Sequence, residues 1–248
     1  GHLKLKNLIV FFYNNKISID GPTSLSVSDN YKKRFESYGW NFIEINGHNH
    51  KQISNAIKKA SKSNKPNIIS CKTIIGFGSP NKSGKSSSHG SPLGDDEITL
   101  VRKKLKWNTK PFEVPKDILE SWRNIGKQGM ALEKKWSDSL NKKNSKIKKK
   151  LEDVFDNINL KNLNQLISSE KEKYFKEKPK KATRECSSQT IEIISSLLPE
   201  LIGGSADLSG SNNTKTKNSK VISSKDFSGN YIHYGVREHG MAASMNGL

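Results

Sequence analysis

The sequence of 248 residues predicts an α/β fold with parallel sheets flanked by helices, arranged as two α/β units joined by a linker. Three observations predict it. Short apolar runs alternate with stretches of helical periodicity over the first 75 residues. A Lys/Asn-rich, weakly periodic stretch from Lys142 to Lys181 then separates this part from a second α/β unit. Finally, Tyr231-Ile232-His233-Tyr234-Gly235-Val236-Arg237-Glu238-His239-Gly240-Met241 reads as a short strand, a glycine turn and a helix that starts on charge. Strand ends that run into helices are where open α/β sheets place ligands.

Leu8 to Phe12 is continuously apolar, as expected of a strand buried on both faces. A helix follows, with Ser28 as its expected N-cap, Tyr31, Phe35 and Tyr38 at helical spacing, and Gly39 suited to the residue after its end. Trp40 to Ile45 reads as a strand. Lys51 to Ser61 reads as a helix with Ile53, Ala56, Ile57 and Ala60 on one face. Asn67 to Thr73 is the third strand, with Cys71 as core filling. Strands separated by helices imply a parallel sheet. The Gly/Ser/Pro-rich loop from Gly76 to Gly94 is long enough to be functional or disordered. Helices are expected over Asp95–Lys106 and Pro115–Leu140, the latter with breaks at Gly126 and Gly129. Beyond the linker, Ile191, Ile194 and Leu198 mark a helix, Leu201-Ile202 a strand, and Gly203 to Leu208 a tight loop.

Lys and Arg total 43 against 24 Asp and Glu, a formal charge of +19. Such a charge suits a nucleic-acid or anionic-membrane partner. The lysines are scattered, however, arginines are few, and the sequence has no zinc-finger spacing or aromatic RNA-binding motif. A basic nucleic-acid-binding protein is the alternative from another class, and the expectation is no nucleic acid and no membrane. Mean hydropathy is −0.73, and no run approaches the roughly 20 apolar residues of a membrane span. Two cysteines far apart fit a reduced, cytoplasmic protein better than a disulfide framework. The chain opens on Gly1 rather than Met, so an upstream segment is expected.

Two motifs carry little. Gly84-Lys85-Ser86 resembles the end of a phosphate-binding P-loop, but Ser79 stands where its first glycine belongs. His48-Asn49-His50 has no third metal ligand nearby and reads as a surface turn. Three stretches carry more. Asn15 and the Ile17 carbonyl, in the turn Asn14 to Gly21, are hard oxygens suited to Mg²⁺ or Ca²⁺ on a diphosphate. His89, in the long loop, can donate to phosphate or move a proton near neutral pH. Arg184 with Ser211 can clamp a sugar phosphate. Taken singly, each has an ordinary surface reading, and Glu238 does too, as a first-turn acid.

Taken in order, these stretches resemble transketolases. The resemblance runs through Ile17-Ser18-Ile19-Asp20-Gly21, Tyr38-Gly39-Trp40, Cys71 to Lys82, His89-Gly90-Ser91-Pro92-Leu93-Gly94 and Pro111-Phe112-Glu113-Val114-Pro115. It continues in Ala182-Thr183-Arg184, Gly203 to Leu208 and the Glu238 segment. The sequence departs from the family at Tyr13 and Asn14, where an acidic pair is common, and at Ser86, where many members carry a histidine.

The resemblance implies a thiamine-diphosphate-binding fold and a transferase. The enzyme would move a two-carbon ketol unit from a ketose phosphate to an aldose phosphate, through the thiamine diphosphate ylid, in the pentose phosphate pathway. Dihydroxyacetone synthase is the near alternative. The resemblance implies a homodimer with active sites between subunits. It makes Asn15 and Ile17 metal ligands, with Ile19 and Ile75 against the cofactor rings. His89 would stand near the diphosphate and the reacting substrate hydroxyl, and Asp207 near the cofactor at the dimer interface. Arg184 and Ser211 would bind substrate phosphate. Glu238 would hydrogen-bond the pyrimidine ring nitrogen. Residues 1–158 would be the back of the diphosphate-binding domain, 159–181 the linker, and 182–248 the front of the pyrimidine-binding domain. This internal segment alone is expected to be inactive.

Overall fold

The structure, a computed structural model, describes residues 1–142, 145–156, 160–198 and 200–248. It divides into two compact units, Gly1–Trp122 and Arg123–Leu248. The domain boundary expected at 158/159 lies outside the described residues.

The first unit is built on β1 (Ile9–Asn14), the short pair β2 (Ile17–Ser18) and β3 (Gly21–Pro22), α1 (Tyr31–Ser37), β4 (Asn41–Asn46), α2 (His50–Ala60) and β5 (Asn67–Lys72). The helix α3 (Asp95–Lys104) follows the long loop. Strands β1, β5 and β4 form a parallel sheet in that order. The chain thus enters on one side, crosses through α1 to the other, and returns through α2 to fill the middle. The central strand β5 is the one buried on both faces, with Ile68, Ile69 and Cys71 all under 4% exposed. Two-faced burial was expected of the first strand. Instead β1 lies at the side of the described sheet and leaves Val10 and Phe11 exposed.

The core follows from α2. Its Ala56 and Ala60 are small enough to bring the helix onto the sheet, where they meet Ile45, Ile69 and Cys71. Ile57, expected on the same face, is 41% exposed. Buried Asn67 ties the end of α2 to the start of β5, its Nδ2 donating to the Ala60 and Lys65 carbonyls at 3.2 and 2.8 Å. The N-cap of α1 is Asn30 rather than Ser28. Its side chain accepts from the Lys33 N–H at 2.9 Å. Asn49 caps α2 in the same way, accepting from Gln52 N–H at 3.1 Å. Gly39 has φ +80°, as its place after α1 requires.

The helix α4 (Lys116–Asn141) starts in the first unit and ends in the second, and is continuous through Gly126 and Gly129. A glycine costs a helix only about 1 kcal/mol, too little to stop 26 residues. The Lys/Asn-rich stretch holds α5 (Ser145–Asp156) and α6 (Leu160–Glu177). Then come α7 (Thr183–Leu197), β6 (Gly203–Ser205), α8 (Ser209–Asn212), β7 (Tyr231–His233) and α9 (Glu238–Met245). Strands β6 and β7 pair in parallel, Gly203 opposite Tyr231. The strand expected at Leu201-Ile202 is therefore displaced onto the glycines. Gly204 lets the backbones close up, since a Cβ there would stand 2.5 Å from the Ile232 carbonyl oxygen.

Candidate active-site segments

In the first unit the predicted residues lie on loops that leave the carboxyl ends of adjacent strands. Asn14 at the end of β1 pairs with Lys72 at the end of β5, and Asn46 at the end of β4 pairs with Lys72 from the other side. All three loops therefore open on the edge where parallel α/β sheets bind ligands.

The β1 loop is an Asx turn. Asn15 Oδ1 accepts from Ile17 N–H at 3.0 Å, and Lys16 between them has φ +59°. One Oδ1 lone pair is thus committed and the other remains. Ile17 stands opposite Pro22 in the β2–β3 pair, and Pro22 has no N–H to give its carbonyl. Two half-buried neutral oxygens on one rigid turn fit a hard divalent cation. Among the described residues no group of three or more His, Cys, Asp or Glu could hold a metal, so Asn15 and Ile17 could by themselves offer only part of a coordination shell. Ile19, next on the turn, is 70% exposed.

The β5 loop carries half-buried Ile75 and exposed His89. The β4 loop supports it through His48, whose Nε2 accepts the Ile74 N–H at 3.0 Å. This bond puts the proton of the neutral imidazole on Nδ1. The same ring stacks on Phe77, with centroids 4.1 Å apart. His48 is therefore a clip between two loops, not an idle surface residue. Gly47 permits the close approach of the two loops, since a Cβ there would lie 2.5 Å from Thr73 Cγ2.

The rest of the β5 loop is anchored by Glu97, buried in the first turn of α3. Its carboxylate accepts from Ser79 Oγ–H, from Asn81 N–H at 2.9 Å and from Asn81 Nδ2 at 2.8 Å. Ser79 Oγ accepts from Lys82 N–H, and Lys82 Nζ donates to the Leu93 carbonyl at 2.8 Å. Ser86–Ser88 is a single 3-10 turn ending at His89, which excludes a P-loop helix there. The long loop is ordered by these bonds.

The Ser79 and Asn81 bonds hold the Glu97 carboxyl at about 2, below its ordinary 4.5. A depressed folded value means that the anchor is fully present above about 4.5. It is lost as pH falls from there to about 2. The protection of segment 79–93 against deuterium exchange, corrected for the slowing of intrinsic exchange in acid, is expected to fall across that acid window. Glu97→Gln is expected to take up deuterium faster at neutral pH and to lose the acid dependence. An unchanged profile in the variant would remove Glu97 as the anchor.

In the second unit Arg184 lies in the exposed first turn of α7. Ala182, ahead of it, has no oxygen with which to cap, so only the Glu185 half of a capping box is present, accepting Ala182 N–H at 2.8 Å. Asp207 has φ +65°, an uncommon conformation for a residue other than glycine. Ser205 Oγ accepts Leu208 N–H at 3.1 Å and its carbonyl accepts Tyr234 N–H at 3.0 Å, which locks this turn against β7. Ser211 lies exposed within α8. Beyond β7, Gly235 has φ +66° and α9 opens on Glu238, as the sequence predicts. Glu238 is exposed and, among the described residues, its carboxylate has no hydrogen-bond or ion-pair partner. An apolar groove of about 420 Å³ between α6 and α7 contains none of these residues, being lined by Ile167, Tyr174, Cys186, Gln189 and Ile194 among others.

The comparisons with known proteins agree across the whole chain. The family described as "Transketolase, thiamine diphosphate binding domain" matches residues 1–162. The family described as "Transketolase, pyrimidine binding domain" matches residues 179–248. The chain is 47% identical over 264 aligned residues to a transketolase of Buchnera aphidicola from Acyrthosiphon pisum, with 100% of the chain and 38% of the relative covered. It is 44% identical over 254 to transketolase 2 of Escherichia coli K12, with the same two shares. Among solved structures, a Pichia stipitis transketolase in complex with sedoheptulose 7-phosphate superposes with TM-score 0.87 at 33% identity, covering 100% of this chain and 38% of that one. The chain thus spans 38% of the length of these relatives. Among the described residues no helix is long and apolar enough to cross a membrane. With matches this long and collinear in both sequence and fold, the chain belongs to the transketolase family.

Proposed function

We propose that the full-length protein transfers a two-carbon ketol unit from a ketose phosphate to an aldose phosphate, using thiamine diphosphate and Mg²⁺ or Ca²⁺. The observation that carries this reading is the Asn15–Ile17 turn: two preset hard oxygens at the carboxyl edge of a parallel sheet. The complexes of Pichia stipitis transketolase with sedoheptulose 7-phosphate and fructose 6-phosphate support the substrate class.

Asn15 Oδ1 and the Ile17 carbonyl bind the cation that neutralises the diphosphate. Ile19 and Ile75 pack on the cofactor rings, and the exposure of Ile19 leaves its side chain free to do so. Thiamine diphosphate, when bound, supplies the electron sink for carbon–carbon cleavage. The chain supplies placement and proton control. Glu238 holds a proton against the pyrimidine ring nitrogen. His89 hydrogen-bonds the diphosphate and the reacting substrate hydroxyl, and Asp207 presents its carboxylate beside the cofactor at the subunit interface. Arg184 and Ser211 bind the substrate phosphate. Residues 1–158 belong to the diphosphate-binding domain, 159–181 to a linker and 182–248 to the pyrimidine-binding domain, in a cytoplasmic homodimer with sites between subunits.

The direct test is ketol transfer by the full-length protein. Turnover is expected only with both thiamine diphosphate and a divalent cation. Its absence with every pairing of ketose and aldose phosphates would refute the proposal. Arg184→Ala is expected to raise KM for the phosphorylated donor by about tenfold or more, the loss of one charge-assisted contact. An unchanged KM would remove Arg184 from the phosphate site.

A further inference from the structure

The turn that carries Ser211 is supported by a residue neither on it nor near it in sequence. Tyr231 is the first residue of β7 and is 1% exposed. Its hydroxyl is 2.6 Å from Ser209 Oγ and 3.0 Å from Thr214 Oγ1. Those two hydroxyls bracket the turn that carries Ser211. Between them run α8 and Asn213, which has φ +53°, and Thr214 N–H donates to the Ser209 carbonyl at 3.3 Å. The turn is an arch, and both its feet rest on one phenol oxygen. A phenol can donate to one hydroxyl and accept from the other, so the arrangement is fully satisfied.

Tyr231 itself is held firmly. It pairs with Gly203 of β6, its N–H donates to the Lys220 carbonyl at 3.0 Å, and its carbonyl accepts Ile222 N–H at 2.8 Å. Its ring meets His233 edge to face, with centroids 5.1 Å apart, and Lys215 Nζ lies 5.8 Å from the ring centre. The strand that leads to Glu238 therefore also anchors the arch that carries Ser211. Ser211, exposed at the top, has no such anchor of its own among the described residues.

We propose that Tyr231 is a positioning residue for the phosphate site, setting Ser211 through the Ser209 and Thr214 hydroxyls and thereby favouring phosphorylated over unphosphorylated ketose donors. This rests on the reading of Ser211 as a phosphate ligand. A pin of this kind acts by removing conformations of the arch in which Ser211 is turned away. Its loss weakens one substrate group selectively. Tyr231→Phe keeps the ring and removes the pin.

The test compares KM for a ketose phosphate with KM for the same ketose lacking its phosphate, on the full-length protein. Tyr231→Phe is expected to raise the first relative to the second by about five- to tenfold, the loss of two buried hydroxyl contacts. Deuterium uptake in the peptide 209–214 is expected to quicken in step. Ser209→Ala with Thr214→Val leaves the tyrosine in place and is expected to shift the ratio the same way, which keeps the test open should Tyr231→Phe fold poorly. Equal rises for both donors would show a merely structural role and overturn the proposal. Ser211→Ala separates the two ideas. If it shifts the ratio and the Tyr231 and Ser209/Thr214 variants do not, the proposal fails and the reading of Ser211 stands. If Ser211→Ala shifts nothing, that reading fails and the proposal with it.

Discussion

Replacing Glu238 with Gln in the full-length protein is expected to lower kcat by about 10²- to 10⁴-fold, the usual contribution of a positioned acid or base. Asn15→Ala at saturating Mg²⁺ is expected to lower it far less. The contrast follows from what each side chain supplies. Glu238 opens α9 directly after a glycine turn with φ +66°. Among the described residues nothing competes for its carboxylate. Glutamine preserves the size and can still donate an amide N–H to a ring nitrogen, but it has no acidic proton to share or transfer. Asn15 supplies one neutral oxygen among several ligands, and excess cation offsets a weakened site by mass action. A metal titration of both variants distinguishes them: activity returns with added Mg²⁺ for Asn15→Ala and does not for Glu238→Gln. Equal losses at saturating metal would remove the role proposed for Glu238.

The parts of the fold that were legible in the sequence are those that side-chain type announces. The run Asn67 to Thr73 reads as a strand because a central parallel strand must be apolar on both faces, and β5 is that strand. Tyr231 to Met241 reads correctly because strand, glycine and charge each carry their own signal. Leu8 to Phe12 carries the same apolar signal, yet β1 takes a flanking place, because sheet order is a property of crossovers rather than of composition. The strand at Gly203–Ser205 was misplaced by two residues for a related reason: it is defined by how closely two backbones approach, and glycine leaves no apolar mark. The candidate site residues stood out singly, as residue types able to do the proposed chemistry. Their supports did not. The partner of His48 is 26 residues away, that of Glu97 is 18 away at Ser79, and that of Tyr231 is 22 away at Ser209. No local pattern encodes such pairings, so a histidine that clips two loops looked like a surface turn.

Gly204 concentrates that lesson into one measurable contrast with its neighbour. A Cβ on Gly204 would stand 2.5 Å from the Ile232 carbonyl oxygen and 2.7 Å from Tyr234 Cε2. The first of these atoms is backbone and cannot swing aside; relief requires β6 and β7 to part. A Cβ on Gly203 meets nothing within 4 Å. Gly204→Ala is therefore expected to destabilise the full-length protein by about 1–3 kcal/mol, the cost of overpacking a closed contact. Gly203→Ala is expected to stay within about 0.5 kcal/mol of the parent, as for an exposed substitution. Thermal or urea unfolding of the two variants checks the difference. The consequence reaches function as well, because parting the strands moves β7, and β7 positions both Glu238, through the Gly235 turn, and the phenol beneath Ser211. Gly204→Ala is accordingly expected to lose activity at temperatures where it is still folded, while Gly203→Ala is not. If the two variants matched in stability and in activity, close approach at Gly204 would not be what holds this end of the second unit.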